Sequence, residues 1–546
     1  MRAIDLYAGI GGWSLGLRLA GIEVVNSYEW WQPAIDTHNG NHGGQLKPVD
    51  IRQLELQSLP SDIDLVVGSP PCTEFSYANR GGGGNIAEGM KDLVKFFEIV
   101  DHLKPQFWAL ENVPRVAEVI RRGFEDAGHP LNRFRNLGAQ IEVVDFSEYG
   151  APQARRRCIA TNIPLGLINQ LKGKIPQRTL GDVVASMASN GTVVDPVWGV
   201  SLTASALTET QPEEHLNAEE LRMNREAKAY HPVYNNMAFP DRFDAPARTV
   251  TATCTRVSRE SIVIEDLASP GRFRRLTIRE RASLQGFPIT YQFFAKSFAE
   301  KAKMIGNAIP PTFTHLLALA ARGALSGEFT GFREAGKILK LPNAVAPVTP
   351  PDKAGRSYPL TRSFRAALPN LRFKSGMRFD LSNSVIGSAT DWRVRFFFGP
   401  SKDIREIDLD GAITSDVKKS AAIAEMLGGL TPQFQAAERN IRKATPDSLQ
   451  QVWTHRCDGV GPYEVTDVLG ELAEIVHCRI LEIVEQSEPF TLENFIIATA
   501  EMSADNKRLV SESKLRKYAT WILAGAIVGD WFNNLTWHQQ AHRRAA

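Results

Sequence analysis

The sequence predicts an α/β fold: a mostly parallel sheet covered by helices on both faces, with a smaller irregular lobe and a further C-terminal globular segment. Two observations predict the sheet. From Ile4 to about Val144, short apolar runs alternate with helix-like segments, the pattern of βαβ units. The chemically unusual residues also fall where those runs end, and in such folds ligand sites lie outside the carboxyl ends of the strands. A third observation predicts the extra parts. The alternation stops near Ile163, returns after about Asp266, and gives way to a proline-rich stretch beyond residue 330.

A chain of 546 residues is long enough for two to four domains with full cores. An apolar fraction of 43% and a charged fraction of 23% are those of an ordinary globular protein. With a net charge of +2, any nucleic-acid footprint has to be local. The five cysteines are odd in number and widely spaced, no basic n-region opens the chain, and no apolar run reaches membrane-spanning length. The expectation is a reducing, cytoplasmic setting with free thiols.

Taken in order, "AIDLYAG" is a strand and its turn, leading to the helix "GWSLGLRLAG". "IEVVNSYE" leads to "WQPAIDTHN", "IDLVVGSPP" to "MKDLVKFFEIVDHL", and "QFWALENV" to a helix near Pro114–Ala127. In "DLYAGIGG" the glycines allow close backbone approach to a ligand at a helix N-terminus, although a purely structural turn reads the same way. "YEWW" sets Glu29 and Trp30 side by side at the next strand end, where an acid commonly binds ribose hydroxyls and an indole stacks on a purine. A packed Trp30 and a solvated Glu29 remain the alternative. Asp50 in "PVDI" is placed to accept from an adenine amino group. Three adjacent strand ends thus describe a nucleoside cofactor lying across the sheet.

The next strand end carries "GSPPCTEFS". Two prolines stiffen the turn that presents Cys72, and the glycine-rich "YANRGGGGNIAEG" follows it, a pattern suited to a nucleophile beside a closing flap. One strand further, Glu111 ends "FWALENV", an apolar setting that favours a proton-donating carboxyl. "QARRR" then supplies Arg155, Arg156 and Arg157, either an anion- or carbonyl-binding cluster or a solvated edge.

These blocks, with "RRLTIRERASLQGFP" and "GNAIPP", occur in an order that resembles the DNA (cytosine-5) methyltransferases over about residues 1–325. The resemblance implies a Rossmann-like, S-adenosylmethionine-dependent methyltransferase domain, formed by residues 1–162 and 267–330. Residues 163–266 would be its target-recognition lobe, 331–359 a linker and 360–546 a C-terminal domain outside the family core. By the same resemblance Cys72 would attack C6 of a flipped-out cytosine in a specific duplex sequence. Glu111 would bind N3 and the exocyclic amine, and Arg155 and Arg157 would be the paired arginines of the site. Tyr7, Gly9, Gly11, Glu29, Trp30, Asp50, Ile51 and Asn307 would hold S-adenosylmethionine.

The implied enzyme is prokaryotic or phage-encoded, monomeric and without a metal. Its partner is double-stranded DNA, with a cognate restriction endonuclease as a further candidate. Methylation of RNA and a non-catalytic DNA-binding role are the alternatives. The sizeable lobe favours DNA, and the intact Cys72, Glu111 and Arg157 favour catalysis. Thr73 stands where the family usually has Gln, and Tyr7 where Phe is usual.

Beyond Leu341, "DKAGRSYPLTRSFRAALPNLRFKSG" interleaves Tyr358, Phe364 and Phe373 with six basic residues, either a phosphate-contacting arm or an ordinary basic face. "DGVGPYEVTDVLGEL" is similar to the hairpin turn of helix–hairpin–helix DNA-backbone binders, though a plain turn has the same composition. Cys457 in "HRC" and Cys478 in "HC" lack zinc spacing, and "LDGAITSDVKK" only loosely matches a nuclease pattern.

Overall fold

A computed structural model describes residues 1–71, 86–229, 237–324, 329, 331–351, 357–373, 376–387, 389–399, 404–407, 409, 421–486 and 510–535. The chain divides into two compact units, Met1–Tyr230 with Asn236–Ala354, and His231–Asn235 with Gly355–Ala546.

The first unit is built on a six-stranded sheet. Strands β1 (Arg2–Leu6), β2 (Glu23–Tyr28), β3 (Leu65–Gly68) and β4 (Phe107–Asn112) run parallel, in the order β2-β1-β3-β4. The expected helices join them: α1 (Gly12–Leu19), α2 (Gln32–His42), α3 (Ile86–Leu103), and after β4 α4 (Val116–Glu125). Because side chains alternate across a strand, Ile4, Leu6, Val66 and Leu110 enter one core with Phe96, Phe97 and Trp108. Ala3, Leu65, Val67 and Ala109 enter the other, with Trp13, Phe313 and Leu316. Both faces are covered, as a parallel sheet requires.

The far edge departs from parallel. Strand β5 (Gln140–Asp145) is followed by the short β6 (Gln153–Ala154) and by β7 (Arg156–Thr161). β7 inserts between β4 and β5, antiparallel to both, so Glu111 lies opposite Ile159 and Asn112 opposite Cys158. The start of β7 is thereby brought to the carboxyl end of β4.

Residues 163–266 contain α5 (Leu165–Asn169), α6 (Leu180–Met187), a hairpin of β8 (Thr192–Val194) and β9 (Ser201–Thr203), and α7 (Ala218–Ala229). The stretch "ETQPEEHLNAEELRMNREAKAYHP" has a helix-forming composition from its start, yet α7 begins only at Ala218. Pro212 has no N–H to donate, and Glu209 holds the left-handed φ of +64°. Asn217 then sets the start: its Oδ1 accepts from Glu220 N at 2.8 Å while Glu220 Oε2 accepts from Asn217 N at 3.1 Å. The chain returns through β10 (Ala247–Arg248), parallel to β6, then β11 (Val263–Glu265) and β12 (Phe273–Arg275). Leu180, Val183, Val250 and Ile264 share one core with Ile278, Leu284 and Ile305. Helices α8 (Ile278–Leu284), α9 (Phe298–Asn307) and α10 (Pro311–Ala321) close the unit, and Pro310 and Pro311 separate the last two.

The segment after α10, which reads as a linker, is tied down at intervals as far as Thr349 among the described residues. Phe332 is buried beside Trp198, and Ala346 and Thr349 are buried as well. Thr349 N donates to Glu209 Oε1 at 3.0 Å, and Lys301 Nζ donates to Pro347 O at 2.6 Å.

The second unit holds a four-stranded antiparallel sheet, β13 (Arg365–Arg372), β14 (Arg378–Ile386), β15 (Ala389–Phe398) and β16 (Arg405–Ile407). Helices Pro462–Gln486 and Ala519–Asn533 pack on it. Gly525 leaves room for the Phe379 ring, which a Cβ there would meet at 2.5 Å. The basic stretch is partly absorbed into this core. Arg362 is sandwiched between the Tyr358 and Trp453 rings at 3.9 and 3.8 Å, and Phe364 and Phe373 are buried. Lys353, Arg356 and Lys374, and the acid and lysine pattern from Asp410 to Lys419, lie outside the described residues. "DGVGP" forms the turn between helices Pro446–Trp453 and Pro462–Gln486, with Gly461 N donating to Glu464 Oε2 at 2.9 Å. Among the described residues no group of His, Cys, Asp and Glu could hold a metal, and no helix is long and apolar enough to cross a membrane.

Candidate active site

Two cavities open at the carboxyl ends of β1 to β4. One, of about 360 Å³, is lined by Asp50, Ile51, Arg52 and Glu88, and the other, of about 340 Å³, by Gly9, Glu111, Arg157 and Asn307. Tyr7, Glu29, Trp30 and Pro71 line both, so the two form neighbouring halves of one cleft.

The turn after β1 is held from below and from the side. Glu29 is buried; its Oε2 accepts from Gly9 N, and its Oε1 from Trp30 N and Trp31 N, all at 2.8 Å. Beneath the turn runs a buried polar chain. Asp5 Oδ2 accepts from Ser14 N at 3.1 Å and Ser14 Oγ at 2.7 Å, and Ser14 Oγ meets His38 Nε2 at 3.2 Å. The His38 and His42 rings lie 4.6 Å apart, His42 Nε2 reaches Tyr291 Oη at 3.0 Å, and that hydroxyl donates to Ile10 O. Burial pushes Asp5 up to about 7 and His38 down to about 3, so water-free surroundings keep both uncharged in the weakly acid range.

The glycines of the turn divide by role. A Cβ on Gly11 would sit 2.5 Å from His42 Nε2 and one on Gly12 2.3 Å from Ile309 O, whereas one on Gly9 would meet nothing within 4 Å. Gly9 faces the cleft, and Gly11 serves packing.

Trp30 is 67% exposed, with its ring available to the cleft. Asp50 caps a short turn, accepting from Arg52 N at 3.0 Å and Gln53 Nε2 at 2.8 Å. Ile51 is buried beside it. Tyr7 has a left-handed φ of +55° and donates to Asp92 Oδ1 at 3.3 Å; burial and that neighbouring carboxylate raise its phenol above the ordinary value. Arg52 in turn bonds Asp92 at 2.6 Å. An exposed indole, a carboxylate one strand away and an open glycine turn between them fit the adenosine of S-adenosylmethionine by donor set and by space.

The turn that leads to Cys72 is held at two points. Trp13 Nε1 donates to Ser69 Oγ at 3.0 Å, and Asn112 Nδ2 donates to Pro70 O at 3.0 Å. Cys72 and Thr73 themselves lie outside the described residues. Glu111 is buried and pairs with Arg157, whose Nε is 3.1 Å from Oε1, so its surroundings are ionic as well as apolar. Arg157 Nη1 also donates to Arg156 O at 2.8 Å. Arg155 is buried and differently engaged: its Nη1 donates to Val250 O at 3.0 Å and its Nη2 to Gly306 O at 2.9 Å. It ties the start of β7 to the chain around β10 and α9.

The structure thus brings Tyr7, Gly9, Glu29, Trp30, Asp50, Ile51, Glu111, Arg155, Arg157 and Asn307 to one cleft, and leaves Gly11 behind its wall. Sequence reasoning missed Trp13, Asn112 and Lys303, all of which line it. Asn112 follows Glu111 directly, and Lys303 stands one helical turn before Asn307, so their spacing to predicted residues was the available signal.

A family model described as C-5 cytosine-specific DNA methylase matches residues 1–321. The Type II methyltransferase M.FnuDI of Fusobacterium nucleatum is 27% identical over 343 residues, covering 60% of this chain and 95% of the relative. M.MthTI of Methanothermobacter thermautotrophicus is 27% identical, covering 60% of this chain and 98% of the relative. M.AplI of Arthrospira platensis is 29% identical, with 60% and 86% covered. Residues beyond 321 lie outside the family match.

Proposed function

The chain belongs to the C-5 cytosine-specific DNA methylase family, and from that premise we propose that it methylates C5 of a cytosine in a defined duplex DNA sequence through a covalent adduct between Cys72 and C6. The observation that carries this reading is the pairing of buried Glu111 with Arg157 in the same cleft as the doubly held Ser69–Pro70 turn.

The target base has to leave the helix, because stacked neighbours block both of its faces. Trp13 holds the Ser69 hydroxyl and Asn112 the Pro70 carbonyl, which fixes the turn that leads to Cys72. Glu111 hydrogen-bonds N3 and the exocyclic amine and steadies the ring as electron density moves to C5. Arg157 holds Glu111 in place and is the cation nearest the base carbonyl. Trp30, Asp50 and Ile51 receive the adenine, and Glu29 the ribose. S-adenosylmethionine, when bound, supplies an electrophilic methyl group at the cleft. Loss of the C5 proton then expels Cys72, and the bond to C6 breaks.

Residues 163–266 read the target sequence in this proposal. The Type II names of the relatives further suggest a cognate restriction endonuclease as partner. The test is Cys72→Ser. It is expected to abolish methyl transfer to duplex DNA while leaving S-adenosylhomocysteine affinity within a few-fold, since the nucleoside side of the cleft is built from other strand ends. The wild type is expected to form a denaturant-resistant complex with 5-fluorocytosine DNA. Full activity in the serine variant would end this reading.

A further inference from the structure

The half of the cleft that holds Glu111 is lined by three cationic side chains, and two of them are committed. Arg155 gives its guanidinium to Val250 O and Gly306 O, and Arg157 pairs with Glu111. The third is Lys303 on α9. It is exposed, its Nζ lies 4.7 Å from the centre of the Trp31 ring, and it has no carboxylate or hydrogen-bond partner among the described residues. Lys303 and Asn307 are four residues apart on one helix, so both project from the same side, and both line the cleft. Trp31 follows Trp30 at the end of β2, and its N–H is fixed by Glu29. The indole thereby restricts where the lysine side chain can lie.

A ligand with its adenine at Asp50 and its ribose at Glu29 extends its remaining atoms into the half of the cleft that contains Gly9, Asn307 and Lys303. S-adenosylmethionine carries its one negative group, an α-carboxylate, at that end. Glu29 and Glu111 are acidic and would repel it. We propose that Lys303, steadied on Trp31, is the counter-charge for the cofactor's α-carboxylate and selects cofactors that carry one. This rests on the cofactor reading above.

The experiment compares S-adenosylmethionine with decarboxylated S-adenosylmethionine, which keeps the adenosine, sulfonium and ammonium and lacks only the carboxylate. Calorimetric affinities are measured for the full-length wild type, Lys303→Met and Lys303→Arg. The methionine variant is expected to bind S-adenosylmethionine about tenfold more weakly, the effect of one lost charge-assisted contact. Its affinity for the decarboxylated compound stays level or rises, and Lys303→Arg keeps most of the wild-type preference. Equal losses for both compounds would assign Lys303 a merely structural role and overturn the proposal, as would no loss for either. A loss of DNA affinity with cofactor binding unchanged would also overturn it, placing the lysine on a phosphate. A wild type that binds neither compound would bring down the cofactor reading itself.

Discussion

Residues 1–162 and residues 163–266 both bury carboxylates and pair them with arginines, and the first region opens such a pair onto a cleft. In the first region the charges gather at strand ends and face the cleft: Glu29, Glu111 and Arg157 all line it. In the second they face one another. Arg256 bonds Glu220 at 2.6 and 2.7 Å and Glu213 at 3.2 Å, while Arg275, from the strand that follows, bonds Glu213 at 2.7 Å. Arg248 reaches Asp241 through both carboxylate oxygens. The second region has few strands, so ion pairs and capped turns hold what a sheet ladder holds in the first. A buried charge is therefore read by its surroundings, an open cleft at the strand ends in the first region and a closed network of partners in the second.

One substitution made in both regions would sharpen this contrast. Glu111→Gln is expected to lower turnover at saturating DNA by about 10² to 10⁴-fold, with a small change in DNA affinity, because its contribution grows as charge develops on the ring. A loss confined to DNA binding, with turnover intact, would break the assignment. Glu213→Gln is expected to act on stability instead. It strips the charge facing fully buried Arg275 and should cost about 3 kcal/mol, read as a lowered midpoint of denaturant unfolding. An unchanged midpoint would mean that the pairs are dispensable.

The smallest effect concerns Asp5. Its folded-state proton is held up to about 7, above the ordinary 3.8, so the stabilisation this gives is complete below about pH 4 and is lost as pH rises through 7. His38, held down near 3, acts with the opposite sign, adding stability as pH rises toward 6.5. Asp5→Asn keeps an oxygen for Ser14 and removes only the first effect. Its stability relative to wild type should rise by about 2 to 3 kcal/mol between pH 5 and pH 8. Parallel melting profiles of the two proteins across that range would refute this.

The sequence made the sheet and its helices legible because each strand is a short apolar run closed by a glycine, proline or acidic residue. It made most of the cleft legible because strand ends converge in a parallel sheet whatever the loops do. The reversed β7 was hidden, since antiparallel and parallel strands have the same composition when both faces are buried. The separate jobs of Arg155 and Arg157 were hidden too: two residues apart, they differ only in what their guanidinium groups meet. In 163–266 the start of α7 was hidden because Pro212 and Asn217 outrank the helix-forming residues around them.

The reversal of β7 bears on how such a chain can vary. Its start is fixed at the cleft by Glu111 across the sheet, and β6 just before it pairs with β10, while its end at Thr161 points to the opposite rim. Everything between Thr161 and Ala247 therefore leaves from one rim and is tied back at the other, and neither tie depends on the length of the excursion. A block of different sequence could be exchanged there, provided it returned partners where Leu180, Val183, Trp198, Glu209 and Glu213 now pack, and Glu111 and Arg157 would keep their positions. The fold offers a replaceable module on a fixed chemical base, a property of connectivity rather than of any single contact.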